Sequence, residues 1–200
     1  MVTLRQLPRA RHAAALACVL ALLVFAPWRP ARANTPVLAI LAGGAALLAH
    51  DALTHPALPR KAQWTVSAGG FDIVQFDDPA AEGSIEYRWA NPLIWHAKPF
   101  AGMTMTTDAG ALVFAGLRLD EPLTAHWIAG FDLGAALYAQ GHGKDLGSAA
   151  LGRGGLSLAY RFDNGARLGV SFHHMSHDHL FSSHNPGVET ASVTFSWPLH

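Results

Sequence analysis

From Trp64 to Leu199 apolar and polar side chains alternate with a period of two, and the alternation breaks at short clusters of Asp, Gly, Pro and Asn. Successive side chains of a strand point to opposite faces, so this pattern commits the chain to β-structure with one apolar and one polar face. Eight segments follow one another: WTVSAGGFDIVQF, SIEYRWA, WHAKPFAGMTMTT, ALVFAGLRL, TAHWIAGFDLGAALYA, GGLSLAYRF, ARLGVSFHHMS and VETASVTFSWPL. Most are close to the about nine to eleven residues that a tilted membrane-crossing strand needs.

Phase carries more information than length. In the second segment Ile85, Tyr87 and Trp89 alternate with Ser84, Glu86 and Arg88; in the last, Ala191, Val193, Phe195 and Trp197 alternate with Thr190, Ser192, Thr194 and Ser196. Two architectures carry such a pattern: a soluble sandwich or barrel with the apolar face inside, and a membrane barrel with the apolar face turned to lipid. Arg88, Arg118, Asp132, Arg161 and Arg167 fall on the polar face in mid-strand, where the small interior of an eight-stranded barrel can pair them with one another. Tyr87, Trp89, Trp95, Trp127, Phe195 and Trp197 fall on the apolar face, as aromatic girdles do. These features, with an export signal described below, favour an all-β fold: an eight-stranded antiparallel up-and-down transmembrane β-barrel over residues 63–200.

Loop lengths lean the same way, since such barrels have short periplasmic turns and longer external loops. DEP and DNG fall on the inner side; DDPAAEG, AQGHGKDLGSAALGR and HDHLFSSHNPG fall on the outer side, while the short DAG and the longer ANPLI run against the trend. Asn164-Gly165 reads as a two-residue hairpin turn.

The amino-terminal third has a different character. Arg5, Arg9 and Arg11 precede the apolar run AAALACVLALLVFA, and Ala31-Arg32-Ala33 follows, so residues 1–33 read as a secretory signal peptide cut before Asn34. An uncleaved anchor would need about 20 apolar residues, more than this run supplies. Residues 34–62 hold a second apolar run, VLAILAGGAALLA, also too short to span a bilayer as a helix. It fits a short amphipathic or plug-like segment, a periplasmic lead-in, or an alternative signal core behind Arg29 and Arg32. Cys18 is the only cysteine and lies in the first run, so the mature chain is expected to have no disulfide, no thiolate nucleophile and no cysteine metal site. The signal removes five of the 14 basic residues and none of the 14 acidic ones, which leaves a net charge of minus five and no steering toward nucleic acid.

Chemistry concentrates in HHMSHDHLFSSHNPGVE, residues 173–189. Continuing the apolar phase Leu168, Val170, Phe172 by twos reaches His174 and then Ser176, so both are expected to face lipid. Counting back along the last strand from Trp197 through Phe195, Val193 and Ala191 reaches Glu189 in the same phase and at the same end. Residues two apart on a strand are about 6.6–6.8 Å apart, and the neighbouring strand lies about 4.8 Å away. An imidazole there can reach the hydroxyl, and a carboxylate across from it can hold the other ring nitrogen, the arrangement of a serine–histidine–acid triad. The bland reading is a polar rim that touches headgroups. Five histidines with Asp178 also raise a metal site, but their spacing matches no tight ligand motif, and His173, in the inward phase, cannot converge with His174.

HMS, a short loop, NPGVE and a final alternating strand resemble the PagL-type lipid A 3-O-deacylases, whose motif is His-x-Ser-Asn, a loop, and Gly-x-Glu before the last strand. The resemblance implies that His174 is the general base, Ser176 the nucleophile and Glu189 the acid that orients His174, on the outer face of the barrel within reach of acyl chains. It further implies an ester hydrolase of the outer membrane that removes the 3-O-linked hydroxyacyl chain of lipid A. Lipopolysaccharide would be its substrate, no cofactor or metal is required, no nucleic acid is engaged, and a homodimer is compatible with the pattern. The sequence departs from the family where Asn and Gly help build the oxyanion hole: here His177 and His179 stand in those places and become the oxyanion candidates. A catalytically silent structural barrel and a small lipid-binding barrel are the alternatives.

Overall fold

The structure, a computed structural model, describes residues 35–54 and 60–199. Eight strands follow in sequence order, β1 (Gln63–Phe71), β2 (Ala80–Arg88), β3 (Lys98–Thr106), β4 (Ala111–Pro122), β5 (Trp127–Ala139), β6 (Ala150–Arg161), β7 (Arg167–Ser176) and β8 (Val188–Pro198). They form a closed antiparallel barrel in which β1 returns to β8, with Trp64 opposite Trp197 and Phe71 opposite Thr190. Closure leaves no free sheet edge, the condition under which a β-structure can sit in lipid. The expected eight-stranded up-and-down barrel is therefore what the chain forms; the proposed signal peptide lies outside the described residues.

Side-chain parity separates the two architectures left open above. Outward positions are apolar and exposed, as at Val170 (56%) and Leu137 (60%), with Met103, Val113 and Val193 alike. The interior combines an apolar cluster, with Phe71, Phe100, Leu112, Phe114 and Met175, and an ionic network: Asp132 accepts from Arg153 at 2.6 Å and Arg118 at 3.2 Å, while Asp120 accepts from Arg88, Arg118 and Arg167 at 2.7, 2.8 and 2.5 Å. An exposed apolar outer face around buried ion pairs is the inverse of a soluble barrel and marks a transmembrane one. Around the rim where the chain enters β1 and leaves β8, Trp64 packs on Tyr87, Tyr87 on Trp89, and Trp127 on Tyr160, at centroid distances of 5.0, 4.9 and 5.6 Å. These amphipathic rings are suited to the membrane interface.

Several local expectations need correction. Arg161 does not join the interior network; its Nη2 donates to the Ala125 carbonyl in the neighbouring turn at 2.8 Å. Arg153, read as loop, instead stands inside β6 over the Phe114 ring at 4.5 Å. β1 ends at Phe71 because Asp72 leaves the extended region (φ 58°) and its buried carboxylate caps the amides of Asp77 and Asp78. Trp95 lies in the β2–β3 connection (φ 53°) rather than in a strand. The Asn164-Gly165 hairpin is a three-residue loop closed by the Phe162 amide on the Ala166 carbonyl; only Gly165 has positive φ, whereas a two-residue type I′ turn requires it twice.

A helix, α1 (Thr35–Thr54), packs against β4, β5 and β6. It meets Phe131 and Leu156, which point out of the barrel, so it lies on the outer wall and is not a plug in the lumen. Pro36–Thr54 is long and apolar enough to cross a membrane, with a mean hydropathy of 1.7. This corrects the reading of a run too short to span: the helix continues through His50 and Asp51, whose polar groups find partners on the barrel.

Candidate active site

β7 and β8 bring the acid and the base together by register alone. His174 and Glu189 are direct cross-strand partners, and their outward parity places both side chains on the lipid side of the wall. His174 Nδ1 lies 2.8 Å from Glu189 Oε1. An ionised carboxylate only accepts, so Nδ1 donates the proton and Nε2 is left with its lone pair. That Nε2 is buried and has no hydrogen-bond partner, and the same holds for Glu189 Oε2. Both residues are shielded, His174 at 8% exposure and Glu189 at 4%, although they belong to the outward face. The pair is thus a desolvated, pre-oriented base with one free nitrogen.

Ser176 ends β7 two residues beyond His174, on the same face, with Gly152 of β6 as its cross-strand partner. The structure does not close a hydrogen bond from its hydroxyl to His174 Nε2. Such bonds are often long before substrate binds and tighten in the complex. His173 points the other way, into the lumen, where its Nε2 is 3.4 Å from Asp132. Among the described residues, no group of three or more His, Cys, Asp or Glu is arranged to hold a metal ion.

The connection 177–187 covers the pair. His177 is buried at 2%; its Nε2 donates to the His184 carbonyl at 3.0 Å, and its backbone amide donates to Asn185 Oδ1 at 3.2 Å. The proton-bearing nitrogen of His177 is therefore occupied in holding the loop, while His179 stands exposed with φ 58°. Gly187, with φ 67°, passes close over the His174 ring.

Residues that sequence reasoning did not single out hold this loop in place. Lys144 donates to buried Asp72 at 2.7 Å and to Gln75 Oε1 at 2.5 Å, and Gln75 Nε2 donates in turn to the Pro186 carbonyl at 2.8 Å. The Ile73 amide donates to the Glu189 carbonyl at 3.1 Å. Three external connections, 72–79, 140–149 and 177–187, are thereby tied together beside the acid. No local signal marks these partners, which lie 69 to 111 residues apart. Asn185, read as part of a closing turn, reaches back to the residue directly after Ser176; its place four residues before Glu189 is the one signal that could have drawn attention to it.

The crystal structure of the outer membrane enzyme PagL superimposes with a TM-score of 0.54 at 17% identity, covering 68% of this chain and 99% of that one. A de novo designed transmembrane β-barrel matches with a TM-score of 0.53 at 9% identity, over 72% of this chain and 98% of the design. At these identities the likeness concerns the fold. No curated protein matches the chain in sequence. The family model for PagL, lipid A 3-O-deacylase, matches residues 75–198, which include β2 through β8 and all three residues of the lipid-facing constellation, and the chain accordingly belongs to the PagL family.

Proposed function

We propose that the protein is an outer-membrane lipid A deacylase that removes the 3-O-linked hydroxyacyl chain with Ser176 as nucleophile, His174 as base and Glu189 as orienting acid. The observation that carries this reading is the buried His174–Glu189 pair on the lipid side of the wall, with Nε2 free and Ser176 in phase beside it. A polar pair in that place has no structural advantage in lipid; it suits an enzyme whose ester bond lies at the boundary between acyl chains and sugar.

The chemistry proceeds in two displacements. Ser176 Oγ attacks the ester carbonyl carbon as His174 Nε2 takes the hydroxyl proton, and Glu189 stabilises the imidazolium. The tetrahedral oxyanion collapses, the sugar 3-oxygen leaves with the proton from His174, and an acyl-serine remains. Water, deprotonated by His174, then attacks the acyl carbon and releases the hydroxy fatty acid and free Ser176. No cofactor enters this balance. For the oxyanion, Asn185 is a suitable donor: its Oδ1 accepts from the amide of His177, the residue directly after Ser176, which leaves its side-chain NH2 to donate. His177 would have to exchange its bond to His184 to serve, and His179 would have to swing in from solvent.

Purified protein in detergent, given lipopolysaccharide, is expected to release one hydroxyacyl chain by mass spectrometry. Ser176→Ala should abolish release while keeping the heat-modifiable gel mobility of a folded barrel. Undiminished release by Ser176→Ala would refute the triad.

A further inference from the structure

The outer wall beside the triad is bare on one flank. Gly152 and Gly154 are the β6 partners of Ser176 and His174, and both face outward. A side chain at Gly152 would meet nothing closer than the Ser176 carbonyl at 3.4 Å, so the wall next to the nucleophile is open backbone. At Gly154 the space above the backbone is already taken: a Cβ there would lie 3.3 Å from Leu133 Cδ2 and 3.5 Å from Ile40 Cγ2. The trough that starts beside Ser176 is therefore closed one residue pair deeper by Leu133 and by a residue of α1. His174 Nε2, buried and unpartnered, belongs to the same outward row and marks the trough as a place where a ligand is handled.

Three observations tie α1 to that place. Its close approach depends on Gly43 and Gly44: a Cβ at Gly43 would come within 2.7 Å of Leu156 Cδ1, and one at Gly44 would overlap the Phe131 ring. At its carboxyl end His50 Nδ1 is 2.9 Å from Glu121 Oε2, and Asp51 holds His96 Nδ1 at 2.8 Å. Glu121 is an outward residue of β4, yet it is fully buried, as is Asp51. Without the helix, Glu121 would stand unpaired on the apolar side of a membrane barrel, which is costly. Ile40, Gly44 and Asp51 lie at the spacing of one helical face, and all three are buried.

We propose that α1 stays with the mature barrel as a docked wall, and that Ile40 closes the trough floored by Gly152 and Gly154 and so sets the length of acyl chain presented to Ser176. An acyl chain whose ester lies at Ser176 runs from the external rim toward the bilayer centre and meets Ile40 on its way. A chain too long for the trough must bend out into lipid and lose contact. The length-setting role rests on the deacylase reading; the docking of α1 does not.

The test has two arms. In the first, Gly43→Cys with Leu156→Cys is oxidised in membranes, and the intact mass of the mature protein is measured. The native Cys18 lies upstream of α1. A disulfide-linked species and a mature chain that contains Thr35–Thr54 are expected; a mature chain that begins beyond Thr54, or no crosslink, overturns the proposal. In the second arm, wild type, Ile40→Ala and Ile40→Trp are given lipopolysaccharides with shorter and longer 3-hydroxyacyl chains. The ratio of rates, long over short, should rise about tenfold for Ile40→Ala and fall about tenfold for Ile40→Trp, the scale on which single methylenes are discriminated in apolar pockets. Ratios within twofold of wild type in both variants overturn the length-setting role. A double-cysteine variant that forms the crosslink, beside a wild type that deacylates nothing, refutes the deacylase reading and the length-setting role with it, while the docking of α1 stands.

Discussion

Glu189→Gln should separate what the His174–Glu189 pair does for the reaction from what it does for the fold. The carboxylate uses one oxygen, Oε1, to hold His174 Nδ1 at 2.8 Å, and its Oε2 is buried without a partner. Glutamine keeps the size but can offer an N–H to Nδ1. That would move the ring proton to Nε2, the nitrogen that must accept the Ser176 proton. Where the amide oxygen faces Nδ1 instead, the tautomer is kept but the imidazolium loses its counter-charge. Both outcomes impair the transition state, and comparable acid-to-amide changes in serine triads cost about 10⁴-fold in kcat. We expect a loss of about 10³- to 10⁴-fold, or about 4–5.5 kcal/mol. Stability should move otherwise. The exchange removes a buried carboxylate that leaves one oxygen unsatisfied, and folding should change by less than about 1 kcal/mol or rise. Single-turnover deacylation by mass spectrometry and urea unfolding followed by gel mobility would measure the two effects. A rate within tenfold of wild type, or a loss of about 3 kcal/mol in stability, would refute the reasoning.

Other positions test the surroundings of the site. Asn185→Ala should lower kcat about 10²- to 10³-fold if its amide serves the oxyanion, with little change in KM for lipopolysaccharide in steady-state assays. Lys144→Met strands Asp72 in a buried position and should cost about 3–5 kcal/mol in urea unfolding; adding Asp72→Asn should recover part of that loss. Val170→Arg puts a charge on the exposed outer face of β7 and should destabilise the barrel by about 2–4 kcal/mol in lipid vesicles if that site lies near the bilayer midplane.

The strands were legible because parity is local: each residue's face follows from its neighbour's. For the same reason the constellation could be placed on one face before any contact was known, since His174, Ser176 and Glu189 follow from counting by twos along β7 and β8. What local reading missed were positions where side chains give no signal or where the partner is remote. The first four residues of β6, 150–153, read as loop because their outward positions are only Ala150 and Gly152, so alternation vanishes where the wall is bare. The helix was read as too short because His50 and Asp51 look like terminators; their partners, Glu121 and His96, lie 71 and 45 residues away. Lys144 gives no local signal either, its partner Asp72 being 72 residues distant.

The loop that closes over the pair joins fold to chemistry most directly at Gly187. Its φ of 67° is a left-handed conformation that costs an L-residue about 1–2 kcal/mol, and it sits two residues before Glu189, where the chain must turn into β8 in phase. A Cβ at Gly187 would also come within 3.1 Å of His174 Cε1 and 3.7 Å of Nε2. The methyl group would press on the ring next to the nitrogen that must meet Ser176. Relief by rotating the imidazole weakens its bond to Glu189, and relief by moving the loop shifts Glu189 itself. Gly187→Ala is therefore expected to lose about 10²-fold in kcat, the usual cost of an ångström-scale misplacement of a reacting group, with stability lower by about 1–2 kcal/mol. Full activity in Gly187→Ala would mean that the loop opens during turnover and that the covered geometry is not the reactive one. The same variant tested on a small soluble ester, which needs little room, would distinguish a displaced base, inactive on both substrates, from a loop that merely obstructs the lipid.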